Sequence, residues 1–277
     1  MLSVLLAALS AAVWGAADFS GGKAAQTSRT LSVTVLSQIA GLPVLAVSVA
    51  LFSSGGPTVR ALGAGAVAGI SGFAGLLLLY RGLSQGAMAI FAPISAVTSA
   101  VVPLGVGLVV DRTPSWLALV GVAFAVVAIG LVSVSGGATR VATPRVITLA
   151  LASGTCFGLF FVLVSTAGPG AGQWPLVGAR VGSISVGLLA VVAVRGSLSL
   201  DPVGLRWTLV VGPLDILANV LYLAAAAHGQ LAVVAPISAL YPVSTVLLAM
   251  IVDRERLVPV QVVGLGLAAT ALVLVAT

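Results

Sequence analysis

Along the chain, apolar residues run on in stretches of about twenty, the length at which an α-helix crosses a bilayer. Short clusters of Gly, Pro and charge part the stretches. The pattern predicts ten segments, near residues 2–23, 31–52, 61–83, 87–110, 115–135, 146–167, 174–195, 206–226, 230–252 and 257–276. They lack the strict alternation that strands of a membrane barrel require. Pro114, Pro144, Pro175, Pro202 and Pro259 stand at or near segment starts, where proline suits the first helical turn. The connections are too short to hold an extramembrane domain. The expected fold class is an all-α polytopic membrane protein with ten transmembrane helices.

Composition agrees. Of 277 residues, 60% are hydrophobic and 6% charged, with a mean hydropathy of +1.25, whereas soluble domains carry about a quarter charged residues. So little charge cannot cover a water-soluble surface, and disordered chains are polar. The opening MLSVLLAALSAAVWGAADF has no basic residue ahead of its apolar run, so it reads as a retained first span and not a cleaved leader. The net charge of +6 comes from basic residues standing singly in short loops. No basic stripe forms, so the partner expected is the lipid bilayer and not nucleic acid. Cys156 has no second cysteine with which to form an internal disulfide. One His and one Cys do not make a usual metal site, and there is no phosphate-binding loop, so no metal or cofactor is expected. His228 falls in the connection between spans 8 and 9 and reads as a loop residue.

The two halves resemble each other. Ala92-Pro93-Ile94-Ser95-Ala96 returns 143 positions on as Ala235-Pro236-Ile237-Ser238-Ala239. Trp14-Gly15 falls opposite Phe157-Gly158, Val120-Gly121 opposite Val263-Gly264, Val110-Asp111-Arg112 opposite Val252-Asp253-Arg254, and Tyr80 opposite Tyr222. Several matches in order at nearly one spacing predict a duplicated five-span unit, residues 1–139 and 140–277. Because five is odd, the second copy enters the membrane from the opposite side. The fold is then two inverted five-helix repeats, with a binding site expected between them near the midplane.

Ionisable groups inside spans cost about 2.5–3.5 kcal/mol each at helix centres on insertion scales, so each needs a reason. Asp215 lies in span 8 with Asn219 and Tyr222 at helical spacing on one face. Arg180 lies in span 7 with Ser183 one turn on, within reach of Asp215 if the spans are neighbours. The pair reads either as a packing device or as a substrate or proton site. Asp18 shares a face with Trp14, and Gly21-Gly22 beyond it permits close helix approach. Trp14 stands too deep for an interfacial belt and is expected to line a cavity. Ser95 in span 4 and Ser238 and Tyr241 in span 9 lie beside Pro93 and Pro236, with Pro103 and Pro242 inside the spans. Paired breaks of spans 4 and 9 would mark a binding site. Gln38 and Tyr80 complete the expected lining, Tyr80 standing near a span end. Small-xxx-small pairs at Gly65/Gly69, Gly154/Gly158 and Gly178/Gly182 suit close helix packing. Spans 5 and 10 are almost without polar residues and are expected to be peripheral.

Trp14-Gly15, the Ala-Pro-Ile-Ser-Ala element opening spans 4 and 9, and the Asp-Arg turn after each make the chain resemble the drug/metabolite transporter superfamily, in its EamA-type ten-span members. Arg180 in span 7 is similar to an Arg often found there in that family. Span 2 departs, with Ser37-Gln38 where a matching Arg would fall, and Asp stands after spans 4 and 9 in place of the common Glu. The resemblance implies a secondary-active transporter of small metabolites, amino acids or drug-like compounds, working by alternating access in the direction of efflux. It implies a multi-pass protein of the cell (inner) membrane, a small-molecule substrate as partner, and no ATP-binding module. Asp18 and Asp215 make protons a candidate coupling ion. The alternatives are a passive channel or membrane partner subunit and, less favoured, an intramembrane enzyme. A channel calls for rings of charge or a selectivity loop, and an enzyme for clustered acids and bases. Neither pattern is visible in the sequence.

Orientation is contested. Nine of the twelve basic residues, Lys23, Arg29, Arg81, Arg140, Arg145, Arg195, Arg206, Arg254 and Arg256, fall in odd-numbered connections, and Arg60 and Arg112 in even-numbered ones. The positive-inside rule then puts both termini outside, whereas the resemblance implies both in the cytosol.

Overall fold

The computed structural model describes residues 1–53, 55–84, 88–110, 114–134, 143–167, 170–252, 254 and 257–276, with backbone alone at 80–84, 88–93 and 276. Asp111, Arg112, Arg140, Asp253 and Arg256, and the side chains of Tyr80, Arg81 and Pro93, lie outside the described residues.

Among the described residues the chain is wholly helical: α1 (Leu2–Thr27), α2 (Thr30–Ala40), α3 (Leu42–Phe52), α4 (Val59–Ser84), α5 (Met88–Val110), α6 (Trp116–Val132), α7 (Pro144–Ser165), α8 (Trp174–Ala193), α9 (Pro202–His228), α10 (Leu231–Ser238), α11 (Tyr241–Val252) and α12 (Pro259–Ala276). These helices occupy the ten predicted segments, with α2–α3 and α10–α11 each making one interrupted segment. Seven segments are long and apolar enough to cross a membrane, and three shorter apolar helices occur at Ile94–Val110, Trp116–Val132 and Pro259–Val275.

Helix starts follow from local chemistry. Ser115, Thr143 and Asp201 accept hydrogen bonds from the amides of Ala118 (3.2 Å), Val146 (3.3 Å) and Val203 (2.8 Å), each such cap being worth about 1 kcal/mol. Pro144, Pro175 and Pro202 occupy the first or second helical position, where no intrahelical N–H bond is lost.

The interruptions depart from expectation. Span 4 is not broken, because α5 runs continuously through Pro93 and Pro103. A proline mid-helix removes one donor and bends the helix without ending it when neighbours support the freed carbonyl. The interrupted spans are 2 and 9. Pro43 and Pro242 each take the second position of the second half-helix, after Gly41 and after Ala239-Leu240.

Packing is close wherever small residues meet. A Cβ on Gly65 or Gly69 would collide with the backbone of Pro175 or Ala179 on α8, and one on Gly178 or Gly182 with the backbone of Leu62 or Ala66 on α4. The two glycine pairs thus interlock α4 and α8 backbone to backbone. On α7, Gly154 meets the Ser95 backbone of α5 and Gly158 the Val102 side chain. α6 and α12 pair with each other along their length, burying Ala125, Ala128, Ile129 and Val132. The central contacts join α1 to α9 and α11, α4 to α7 and α8, α5 to α7, and α2 to both α8 and α9.

Candidate functional site

The core of the site is one ion pair. Arg180 of α8 donates through Nη2 to Oδ2 of Asp215 on α9 and through Nη1 to Oε1 of Gln38 on α2. Arg180 is 8% exposed, so its charge is taken out of solvent and needs these partners. Ser183, one turn on from Arg180, donates to the same Gln38 oxygen at 3.0 Å. Gln38 is therefore an acceptor fixed between two donors from α8.

Two further groups orient Asp215. Trp14 Nε1 donates to its Oδ1 at 3.2 Å, and Asn219 Nδ2 donates to its main-chain oxygen at 2.6 Å. Asn219 is buried, and its Oδ1 has no hydrogen-bond partner among the described residues. A buried amide oxygen left open in this way is costly and marks a place for a donor.

Behind the pair lies an aromatic cluster. Trp14 meets Phe161 edge-on with centroids 5.2 Å apart, and Phe161 lies 4.9 Å from Tyr222. Tyr222 is wholly buried and its hydroxyl donates to the Phe161 carbonyl at 2.9 Å. Trp14 and Tyr222 accordingly belong to the packed core and not to an open lining, contrary to the expectation for Trp14, because α7 supplies Phe161 as a third ring.

Asp18, one turn beyond Trp14, is exposed and lies within electrostatic range of Asp215 and Tyr241. Tyr241 is half-buried at the start of α11. The α11 hydroxyls bind α1: Ser244 donates to the Ala11 carbonyl at 3.0 Å and Thr245 to that of Gly15 at 3.2 Å.

The remaining expected residues stand apart. Ser95 Oγ donates to Ser153 Oγ, which donates to the Gly75 carbonyl, a chain that ties α5, α7 and α4 together. Ser238 is fully buried at the end of α10, and its hydroxyl has no partner among the described residues. His228 ends α9, exposed, with Nδ1 2.7 Å from the Ala224 carbonyl oxygen. Phe161 stands in an apolar run that gives it no polar signal in the sequence. Its position 143 residues after Asp18 placed it opposite a singled-out residue in the other half.

The profile of the EamA-like transporter family matches residues 144–277. No curated protein matches the sequence. Seventeen chains of solved structures match. One, a crystal structure of a protein, is 12% identical, covers 98% of this chain and 95% of its own, and superposes with a TM-score of 0.75, a likeness that shows the fold alone. The matched family is one of transporters and not of enzymes. Residues 144–277 thus match the EamA-like transporter family, and the long apolar helices among the described residues make the chain a multi-pass integral membrane protein.

Proposed function

We propose that the protein is a secondary-active carrier that exports small metabolites, amino acids or drug-like compounds by alternating access, with Arg180, Asp215, Gln38 and Asn219 at the substrate site. The carrying observation is the pair of the buried Arg180 with the partly buried Asp215, completed by Gln38 and Trp14 from the other half of the chain. Arg180 offers donors to an anionic group, while Asp215 and the open Asn219 Oδ1 offer acceptors to a donor group. Such a set holds a small polar molecule from both ends. Trp14 and Tyr222 act as positioning residues. Asp18 and Tyr241 stand on the exposed side, and Asp18 with Asp215 supplies carboxylates for proton coupling.

Two inverted five-helix repeats, 1–139 and 140–277, are part of this reading, and reciprocal packing supports it. α1 lies on α9 as α7 lies on α4, and α1 lies on α10–α11 as α7 lies on α5. Gly69 and Gly212, 143 positions apart, make matching backbone contacts, to Ala179 of α8 and to Ser37 of α2. Rocking of one bundle against the other would expose the central pair to each side in turn.

Substrate counterflow in proteoliposomes tests the carrier reading. Uptake stimulated by substrate on the far side is expected; a channel shows no such exchange, and its absence would remove alternating access. Uptake unaffected by collapsing the pH gradient would remove proton coupling alone.

A further inference from the structure

A cavity reaches Arg180 from between α3 and α8. It holds about 310 Å³ and is lined by Leu42 and Leu45 of α3 and by Val177, Arg180, Val181, Ile184 and Ser185 of α8. It arises because α2 packs on α8 up to the interruption at Gly41, after which α3 touches α8 only lightly. Leu42 of α3 and Val181, Ile184 and Ser185 of α8 lie toward the middle of their spans, the depth expected of lipid tails and not of headgroups. Val181 is 60% exposed and Leu42 39%, on the apolar outer surface that also carries Leu188 and Leu189, whereas Leu45 at the inner end is 4% exposed. The wedge therefore opens toward the bilayer and closes on a guanidinium.

We propose that this wedge is a lateral binding portal for a membrane-dissolved anionic amphiphile, its apolar chain lying along Leu45, Val181 and Ile184 and its anionic head meeting Arg180. The walls are almost entirely apolar, so water gains little there and a hydrocarbon chain is the fitting occupant. Arg180 has five N–H donors in a planar fork and spends one on Asp215 and one on Gln38. No further bond of this guanidinium occurs among the described residues, which leaves donors for a carboxylate or phosphate, and the low polarity of the cavity strengthens a charge-assisted bond. The portal goes beyond the carrier reading, on which it rests, by adding a lipid-side ligand that meets the same Arg180.

The test uses the full chain in phosphatidylcholine nanodiscs with a palmitate analogue carrying a diazirine in mid-chain. A phosphatidylcholine with the same diazirine chain forms a parallel arm. Saturable photolabelling of Leu42, Leu45, Val181 or Ile184, competed by unlabelled palmitate, is expected from the fatty acid alone. Arg180→Gln should weaken that labelling by about tenfold, the size of one charge-assisted hydrogen bond. Val181→Trp or Ile184→Trp should abolish it, and competition on the unaltered protein decides if both variants misfold. Asp215→Asn removes the counter-ion of Arg180 while leaving the portal walls in place and should not weaken the labelling, so loss of transport in that variant bears on the carrier reading alone. Labelling that is unsaturable, equal from phosphatidylcholine, absent from α3 and α8, or unchanged in Arg180→Gln would overturn the portal.

Discussion

Gly41, between α2 and α3, and Gly212, in α9, meet backbone to backbone: a Cβ on Gly41 would fall 2.7 Å from the Gly212 carbonyl oxygen. One turn from each stand Gln38 and Asp215, the two partners of Arg180. The close approach of two glycines thus sets the spacing of the ion-pair network. Gly212→Ala should push α2 from α9 and lower stability by about 1–3 kcal/mol, the usual cost of overpacking. Gly22→Ala, inside α1 where nothing lies within 4 Å, should leave stability unchanged or raise it by up to about 1 kcal/mol. Thermal unfolding in detergent compares them, and equal melting temperatures would refute the tight contact.

Removing one partner of the buried pair should cost more than removing both. Asp215→Leu strands the Arg180 charge, at about 3–5 kcal/mol by the behaviour of buried pairs. Adding Arg180→Met removes the stranded charge and should recover most of that loss. A double variant no more stable than Asp215→Leu would mean that the two groups are not coupled.

Trp14→Phe separates the indole N–H from its ring. It keeps the edge-on contact with Phe161 and deletes the bond to Asp215, with an expected loss of about 1.5–3 kcal/mol for a hydrogen bond to a charged group. Trp14→Ala also empties part of the aromatic cluster and should cost more, about 3–5 kcal/mol. Equal losses in the two variants would show that the hydrogen bond contributes nothing.

The distribution of Lys and Arg puts both termini outside. A reporter fused after Thr277 that is active only in the cytosol should be silent, and one active only outside should be active. The reverse result would give the orientation implied by family resemblance.

Most of the helical layout is legible in the sequence because bilayer thickness sets run length, and Pro, Ser, Thr and Asp mark helix starts. Arg180, Asp215 and Asn219 stood out because charge and amide are rare in apolar spans. Gln38 could be singled out as polar, but its bond to Arg180 depends on the Gly41–Gly212 approach, which no local pattern encodes. The interruption of span 2 escaped notice because Gly41-Leu42-Pro43 reads as ordinary apolar sequence, while Pro103 suggested a break that α5 does not make. Trp14 was placed facing a cavity because its partner ring, Phe161, is 147 residues away and carries no polar signal.

The central claim is that Arg180 and Asp215 form the transport site. Metabolite profiles inside and outside cells producing the unaltered protein, Arg180→Gln or Asp215→Asn, at matched membrane levels, test it most directly. The account predicts compounds that accumulate outside only with the unaltered protein, and loss of that accumulation in each variant. Profiles from both variants that match the unaltered protein would contradict it.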